Sequence, residues 1–379
     1  MAKQVLKTYR DCEDFVRGCC FYGVGGGGNP VEGLKMLEEE LNAGRELAWI
    51  DIGDLSDEDM TACAWGMGSI APRDPQETGR KLSGLGISGP RYDRNLAIAI
   101  QELEHYSGAK IKLIIPMEPG GRNMPNPMSS GSRFGIPLAD GDYTGRAIPE
   151  IIQIVPCIAG YKPWPATSVD PWGNVVVIRE SVTPPMTERI GKHLAMAAFG
   201  TVGMAGFLLP VREARKHLVP GTVSRSLGMG RAIRQAREAG RDPVEAVREA
   251  SEGWVLFRGE IIGHDWEDRE GYMFGNNVIE GEGSFAGHRM KVWFKNENHL
   301  TWIDDRPHVT SPDLIALIHC ETGEPITNTV ASVGMEVAVL GMKAPDVLRT
   351  PEALSVLAPS FFGFSIPYNP IEKVIWSPG

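Results

Sequence analysis

The pattern of apolar and polar positions changes about halfway along this chain of 379 residues. In the first half, segments with apolar residues at helical spacing alternate with short, continuously apolar segments of strand length. The predicted helices are Tyr9–Phe21, Val31–Ala43 and Asn95–Tyr106, and the predicted strands are Leu47–Ile52, Lys110–Pro116, Ile136–Asp140 and Glu150–Val155. Met117–Ser132, rich in Gly, Pro, Asn and Ser, is predicted to be a loop. This alternation indicates an α/β domain with a mixed sheet.

The second half predicts helices first and strands afterwards. The predicted helices are Met186–Leu209, Val211–His217, Ser224–Ala239 and one that begins at Asp242–Pro243, and the predicted strands are Leu256–Ile262, Tyr272–Ile279, Met290–Asn296, Asp313–His319 and Val337–Leu340. Prolines and tryptophans interrupt the pattern between Tyr161 and Trp172, as at a domain boundary. We therefore predict an α/β domain over residues 1–168 and an α+β domain over 169–379 that is β-rich towards its C-terminal end.

A glycine-rich loop separates the first two predicted helices. It contains Gly25, Gly26, Gly27 and Gly28, and Asn29 and Pro30 follow with the residue types of a helix N-cap and first turn. The glycines satisfy the GxGxxG spacing of dinucleotide sites, but a helix rather than a strand is predicted before them, so no nucleotide is expected. Two interpretations stay open: backbone N–H groups that hold a carboxylate, phosphate or developing oxyanion, or a tight corner between helices.

Acidic side chains gather in two later segments, PMEPGGRN and ADGDYTGRAIPE. The candidate residues there are Glu118, Gly120, Gly121, Asn123, Asp140, Asp142, Arg146 and Glu150. Crowded carboxylates suit either cation binding or a general base with a raised pKa. The structural alternative is turn formation, for which Asp and Gly are the usual residues. We predict that this segment and the glycine loop face one pocket.

Histidine and cysteine residues add further candidates. His264 and His319, together with Glu150, are candidate ligands for a divalent metal ion such as zinc, although neither histidine lies in a recognised metal-binding spacing. Cys63 is predicted to lie between two glycine-containing turns, where a thiolate nucleophile is an option. The six cysteines contain no CxxC pair and are expected to be reduced thiols.

Charge and hydropathy narrow the class of protein. The net charge of −10 opposes binding to nucleic acid, because phosphate backbones would be repelled. Met1–Phe15 has no apolar region of the kind that signal peptides carry. The longest apolar stretch, Leu194–Pro210, is shorter than the ~20 residues that span a bilayer and is predicted to be a buried helix. We expect a cytoplasmic protein that does not bind membranes.

Several motifs resemble one known family. GGGGNP at Gly25–Pro30, PMEPGGRN, ADGDYTGRAIPE, PGT at residues 220–222, FKNENHL at Phe294–Leu300, and SPDLIAL followed by CETGEPITN occur in the order found in S-methyl thiohydantoin desulfurases. The chain departs from the family pattern at Asn29, where an Asp is expected, and at His319–Cys320. The resemblance implies a two-domain fold, α/β followed by a β-rich part, and hydrolysis of thiohydantoin- or hydantoin-like rings.

The resulting hypothesis is a hydrolase, expected to be a homo-oligomer, in which water attacks the ring carbon between two nitrogens. Asp140, Asp142 or Glu118 is the predicted base or metal ligand, Arg146 would orient the substrate, and the glycine-loop amides would receive the developing charge. The alternative is a non-catalytic or regulatory partner of a hydantoinase-type enzyme that binds an anionic ligand. An ATP-using ring opener is disfavoured because the chain has no Walker motif.

Overall fold

Two eight-stranded sheets organise the chain in a computed structural model that describes residues 3–375. The strands of the first half are β1 (Gln4–Leu6), β2 (Leu47–Ile50), β3 (Met60–Gly68), β4 (Ile111–Pro116), β5 (Leu138–Ala139), β6 (Gly141–Asp142), β7 (Ala166–Val169), β8 (Val175–Ile178) and β9 (Thr201–Pro210). The helices are α1 (Tyr9–Tyr22), α2 (Pro30–Asn42), α3 (Pro75–Gly84), α4 (Asn95–Ser107), α5 (Pro125–Ser132), α6 (Val155–Ile158), α7 (Pro184–Ala197) and α8 (Val211–His217).

The first sheet is mixed, as the sequence predicts. Its order is β1-β2-β5-β4-β3-β9-β7-β8. The four strands β2, β5, β4 and β3 are parallel to their neighbours in this group, and β1 and the β9-β7-β8 side pair antiparallel. The loops after β3 and β4 leave the same edge of the sheet, because the carboxyl ends of parallel strands meet there. These loops form one wall of the cleft described below.

The second half contains β10 (Val219–Pro220), α9 (Thr222–Glu238), α10 (Pro243–Ser251), β11 (Trp254–Arg269), β12 (Tyr272–Gly281), β13 (Arg289–Lys295), β14 (Glu297–Ile303), β15 (Arg306–Thr310), β16 (Leu314–His319), β17 (Pro325–Ile326), β18 (Glu336–Met342), α11 (Pro351–Leu357) and α12 (Ile371–Val374). The second sheet has the order β15-β14-β13-β12-β11-β18-β16-β17, and every neighbouring pair in it is antiparallel. The β-rich second part of the chain is therefore confirmed.

Local sequence explains the start of α2. Asn29 accepts a hydrogen bond from the backbone N–H of Val31 at 2.9 Å, and Pro30 occupies the first turn, where its missing N–H costs nothing. The predicted cap is confirmed. Glu32, three residues after the cap, forms an ion pair with Arg122 at 3.0 Å instead of completing a capping box.

The predicted helix over Leu194–Pro210 is wrong. Helix α7 ends at Ala197, and the rest of the stretch forms strand β9. The glycines that suggested helix packing serve the sheet: a Cβ on Gly203 would lie 2.6 Å from the backbone of Leu96 in α4, and one on Gly206 would lie 2.4 Å from the carbonyl of Pro163. Helix α4 and the chain before β7 approach β9 closely because these residues lack side chains.

Two other segments also differ from the prediction. The glycine- and proline-rich loop predicted after β4 contains α5, which begins at Pro125. The strand predicted over Glu150–Val155 is a 3₁₀ turn over Ile151–Gln153 followed by α6. Short apolar runs do not distinguish strands from buried turns, so tertiary packing decides.

The two halves of the chain pack directly against each other. The predicted division after residue 168 falls inside β7, and β8 and β9 add further strands to the first sheet. Helices α1 and α9 pack so closely that a Cβ on Gly18 or on Gly230 would lie 1.7 Å from a carbonyl oxygen of the other helix. Within residues 3–375, no helix is both long enough and apolar enough to cross a membrane.

Candidate active site

A cleft of about 550 Å³ lies between the two halves of the chain. The first half contributes the glycine loop, the ends of β3 and β4 with the loops that follow them, and the segment around Glu150. The second half contributes residues 296–297 and the loop at 327–330. The volume falls within the ~300–1,000 Å³ typical of small-molecule sites. The predicted meeting of the glycine loop with the segment around Glu118 is therefore confirmed for Glu118, Asn123 and Glu150.

The glycine loop is held against the second half of the chain by backbone hydrogen bonds. The N–H of Asn298 donates to the carbonyl of Val24 at 2.8 Å, and the N–H of Asn328 donates to that of Gly25 at 2.7 Å. Gly25, with φ +94°, adopts a conformation that other residues rarely take. A Cβ on Gly26 would lie 2.0 Å from Oε1 of Glu297, so only glycine lets that carboxylate approach.

Gly120 and Gly121 permit a second close approach. A Cβ on Gly120 would lie 2.4 Å from Gly27, and one on Gly121 would lie 2.9 Å from Pro30. The loop after β4 thereby packs directly on the glycine loop. The predicted ligand-binding role of these two glycines is replaced by a structural one, because neither lines the cleft.

Glu118 lies just after β4 and is held by two donors. The backbone N–H of Ile148 donates to Oε2 at 2.7 Å, and the side-chain amide of Asn123 donates to Oε1 at 2.5 Å. Burial and the negative charge of Glu297 nevertheless raise the pKa of Glu118 well above its ordinary value. Asn123 thus orients the carboxylate of Glu118.

Glu297, at the start of β14, is the second buried carboxylate of the cleft. Burial raises its pKa to about 7, although the positive charges of Arg146 and Lys192 and the N–H of Gly27 lower it. Within the described part of the chain no group donates a hydrogen bond to Oε2. Because two buried like charges repel each other, Glu118 and Glu297 are expected to share one proton near neutral pH. We call these two side chains the carboxylate pair.

The other acidic side chains of the cleft wall are matched by cations. Glu150 pairs with Lys295, Glu188 lies 3.8 Å from Lys192, and Glu32 pairs with Arg122. These pairs leave the carboxylate pair as the acids of the cleft without an ion-pair partner among residues 3–375.

Asp140 and Asp142, both predicted to act in catalysis, are used for structure and do not line the cleft. Asp140 accepts hydrogen bonds from the N–H and the hydroxyl of Ser224, at 2.9 and 2.6 Å, and so holds the first turn of α9. Asp142 accepts from the N–H groups of Thr144 and Gly145 within a tight turn. Asp142 therefore stabilises a turn, which is the structural alternative given for these acids in the sequence.

Arg146 is fully buried, and its guanidinium donates to backbone carbonyls rather than facing the cleft. The accepting carbonyls belong to Ala147, Asn298, Pro312 and Asp313. Arg146 therefore joins the two halves of the chain, and the predicted contact with substrate is not supported by this position. Its charge still acts on Glu297.

The prediction that Cys63 lies between two turns is wrong. Cys63 is in the middle of β3, is fully buried and does not line the cleft. Burial, together with the charges of Glu118 and Asp142, raises the pKa of its thiol well above the ordinary value. A nucleophilic role needs a thiolate, which this environment disfavours.

The predicted metal ligands do not come together. His264 shares a hydrogen bond with Asn277 at 2.7 Å, and His319 accepts one from the N–H of Glu321 at 3.2 Å. Neither histidine lines the cleft, and Glu150 is paired with Lys295. Across residues 3–375 no three His, Cys, Asp or Glu side chains are grouped closely enough to hold one metal ion. The predicted metal set does not fit this arrangement.

Sequence reasoning missed several residues of the cleft, namely Glu297, Arg122, Trp65 and Lys192. Glu297 and Arg122 lie inside motifs that the sequence analysis quotes, FKNENHL and PMEPGGRN, so the motifs were the available signal. Lys192 lies in a helix of ordinary amphipathic pattern and gave no signal.

Comparisons with known proteins cover nearly the whole chain. Residues 10–180 match the family model described as the S-Me-THD-like N-terminal domain, and residues 182–371 match that of the S-Me-THD-like C-terminal domain. A crystal structure of a protein from Chromobacterium violaceum has the same fold, with a TM-score of 0.76 and 20% sequence identity over 98% of this chain and 100% of that one. No curated protein matches the chain.

Proposed function

The chain belongs to the S-Me-THD-like family, and from this membership we propose that it is a hydrolase of small five-membered cyclic amides or thioamides. The substrate class comprises S-methyl thiohydantoin, thiohydantoin and hydantoin-like rings. Water would attack the ring carbon between the two nitrogens. The observation that carries the proposal is the carboxylate pair: two buried acids with raised pKa values in one cleft.

Raised pKa values suit the pair to acid–base work at neutral pH. A base is most effective when its pKa lies near the working pH, and Glu297 has a pKa of about 7. We assign the shared proton to Glu118, whose pKa burial raises well above the ordinary value. One carboxylate and one carboxylic acid in a single cleft provide a base and an acid at the same time.

The proposed reaction of S-methyl thiohydantoin has two steps. In the first, Glu297 takes a proton from water, the water oxygen bonds to the ring carbon, and Glu118 gives its proton to the ring nitrogen of the C=N bond. In the second, the new hydroxyl returns a proton to Glu118 as the C=O bond forms. The C–S bond breaks, and Glu297 gives its proton to the sulfur. The products are hydantoin and methanethiol, and both carboxyl groups regain their starting states.

Other groups of the cleft support this assignment. Asn123 and the N–H of Ile148 fix the orientation of Glu118, so its proton has a defined direction. The N–H of Gly27 faces Glu297 and favours its ionised form. We assign the glycine loop to this base rather than to a substrate oxyanion, because Gly26 is in contact with the base.

Incubation of the purified protein with S-methyl thiohydantoin, thiohydantoin and hydantoin in H₂¹⁸O tests the proposal. From the two sulfur-containing rings we expect release of thiol or sulfide and one ¹⁸O atom in the ring product, both measured by mass spectrometry. A ring-opened product would be heavier than the ring product by one further water and would indicate hydantoinase-type chemistry instead.

Saturable binding of all three rings without any product would contradict the proposal. That result would favour the alternative function, a non-catalytic partner of a hydantoinase-type enzyme. Addition of such an enzyme to the same mixture would then be the decisive measurement, since a partner would change its rate.

A further inference from the structure

Lys192 occupies a junction between the two halves of the chain. Its ammonium donates to the carbonyl of Gly68, at the end of β3, at 3.0 Å and to that of Gly271 at 3.1 Å. Gly271 lies in the turn of the β11–β12 hairpin, which reaches from the second sheet to a cavity that adjoins the cleft. Lys192 is 5% exposed and lines the cleft as well as the adjoining cavity of about 450 Å³.

The hairpin makes further contacts with the first half of the chain near this point. The hydroxyl of Ser69 donates to Asp268 at 2.9 Å. Lys192 also lies 4.0 Å from the centre of the Tyr272 ring, a cation–π contact. The hydroxyl of Tyr272 donates to Glu188 at 3.0 Å. Lys192 is thus the centre of a set of contacts that fixes the hairpin turn at the cavity adjoining the cleft.

We propose that Lys192 is a positioning residue of the active site, which holds the hairpin turn against the end of β3 and supplies one of the two positive charges that act on Glu297. The inference rests on the proposed function only in naming Glu297 as the base. Lys192 has no assigned contact with substrate and acts through Glu297.

The charges around both groups support this role. Those acting on Glu297 are Glu118 from the loop after β4, Arg146 from the loop after β6, and Lys192 from α7. Those acting on Lys192 are Glu188, Glu297, Lys295 and Glu150. Arg146 is fixed by carbonyls on all sides, whereas Lys192 also depends on the hairpin turn, so Lys192 couples hairpin position to the charge on Glu297.

The test is a titration that needs no substrate. The full-length protein is labelled with ¹³C at glutamate carboxyl groups, and the Glu297 resonance is identified by its loss in Glu297→Gln. In Lys192→Met, removal of a nearby opposite charge should raise the titration midpoint of Glu297 by about one pH unit. Lys192→Arg should restore most of the original midpoint. Because no turnover is measured, failure of the proposed reaction would not affect this result.

Lys291→Met is the matched control. Lys291 makes a similar cation–π contact, 4.4 Å from the Trp302 ring, away from the cleft. It should leave the midpoint of Glu297 unchanged. Amides at residues 268–276 should exchange with solvent severalfold faster in Lys192→Met and at the original rate in Lys291→Met.

If Lys192→Met does not fold, Lys192→Gln gives the same comparison, because it retains a hydrogen-bond donor and loses the charge. An unchanged Glu297 midpoint in the folded variant, or an equal shift in Lys291→Met, would overturn the inference. Unchanged hydrogen exchange in the hairpin of Lys192→Met would do the same.

Discussion

The chain buries carboxylates in two very different surroundings. Glu40 in α2 is fully buried and is surrounded by cations: it pairs with Arg45 at 2.5 Å and Arg133 at 2.9 Å, lies 3.5 Å from Arg94, and accepts a hydrogen bond from Ser129. Glu297 is buried to a similar degree, yet one of its oxygens has no donor among residues 3–375. Burial alone therefore does not distinguish a structural acid from a candidate catalytic one.

The neighbours of the buried carboxylate distinguish a structural acid from a candidate catalytic one. A buried acid surrounded by guanidinium groups is held by several ion pairs and hydrogen bonds and contributes to the architecture. A buried acid next to another acid has a raised pKa and is able to exchange a proton near neutral pH. The contrast between Glu40 and the carboxylate pair leads to four predictions, in order of decreasing effect.

The largest effect is expected for Glu297→Gln. Glutamine keeps the shape but cannot accept a proton, so kcat for the proposed hydrolysis should fall by about 10³-fold, within the range for loss of general-base catalysis. The melting temperature should stay the same or rise, because an incompletely paired buried charge is removed. Steady-state kinetics and thermal unfolding measure the two effects, and a variant with full activity would remove Glu297 from the mechanism.

The opposite result is expected for Glu40→Gln. Arg45 would lose its carboxylate partner, whereas Arg94 and Arg133 keep Glu39 and Asp93. Breaking a buried ion pair costs about 3–5 kcal/mol of the free energy of unfolding. Activity below the melting temperature should stay within a few-fold of the original. Urea denaturation and kinetics at low temperature measure this; a stable but inactive variant would contradict the division between the two sites.

The pH dependence of stability should differ between the wild type and Glu297→Gln. Because the pKa of Glu297 is raised to about 7 in the folded state, the folded protein binds a proton between about pH 4.3 and 7 that the unfolded chain does not bind. This contribution to stability is present at low pH and lost as pH rises through about 7. The melting temperature of the wild type should therefore fall more steeply between pH 5 and 8 than that of the variant, and parallel curves would argue against the raised pKa.

The smallest effect is expected for Asp142→Asn. Asn keeps the oxygen that accepts from Thr144 and Gly145, and Asp142 does not line the cleft. The free energy of unfolding should change by less than about 1 kcal/mol, and activity should stay within about threefold. Loss of turnover would return Asp142 to the candidate catalytic residues and weaken the role given to Glu118.

Local features of this chain were predictable from sequence, and contacts between distant segments were not. The cap at Asn29, the buried strand β4 and the position of Glu118 just after it depend on a few neighbouring residues. The partner of Glu118 is Glu297, and no local pattern specifies that approach. The burial of Arg146 among carbonyls of residues 298–313 depends in the same way on the complete fold.

The helix predicted where β9 lies was wrong for a different reason. Its apolar residues and glycines satisfy both a packed helix and a central strand, and only the close approach of α4 selects the strand. Asp140 and Asp142 were predicted to be catalytic because carboxylates in glycine-rich loops form turns and active sites alike. Hydrogen-bond partners decide between these roles, and they are not visible in the sequence.

The backbone pairing of the glycine loop also has a consequence for biosynthesis. Val24 and Gly25 leave the ribosome early, but they bond to Asn298 and Asn328, about 300 residues later in the chain. At ~5–20 residues per second, this separation corresponds to roughly 15–60 s of translation. During that interval the loop lacks its permanent neighbours. Nascent chains that stop before residue 298 should therefore leave the loop open to proteolysis, and assembly of the cleft should be among the last events of folding.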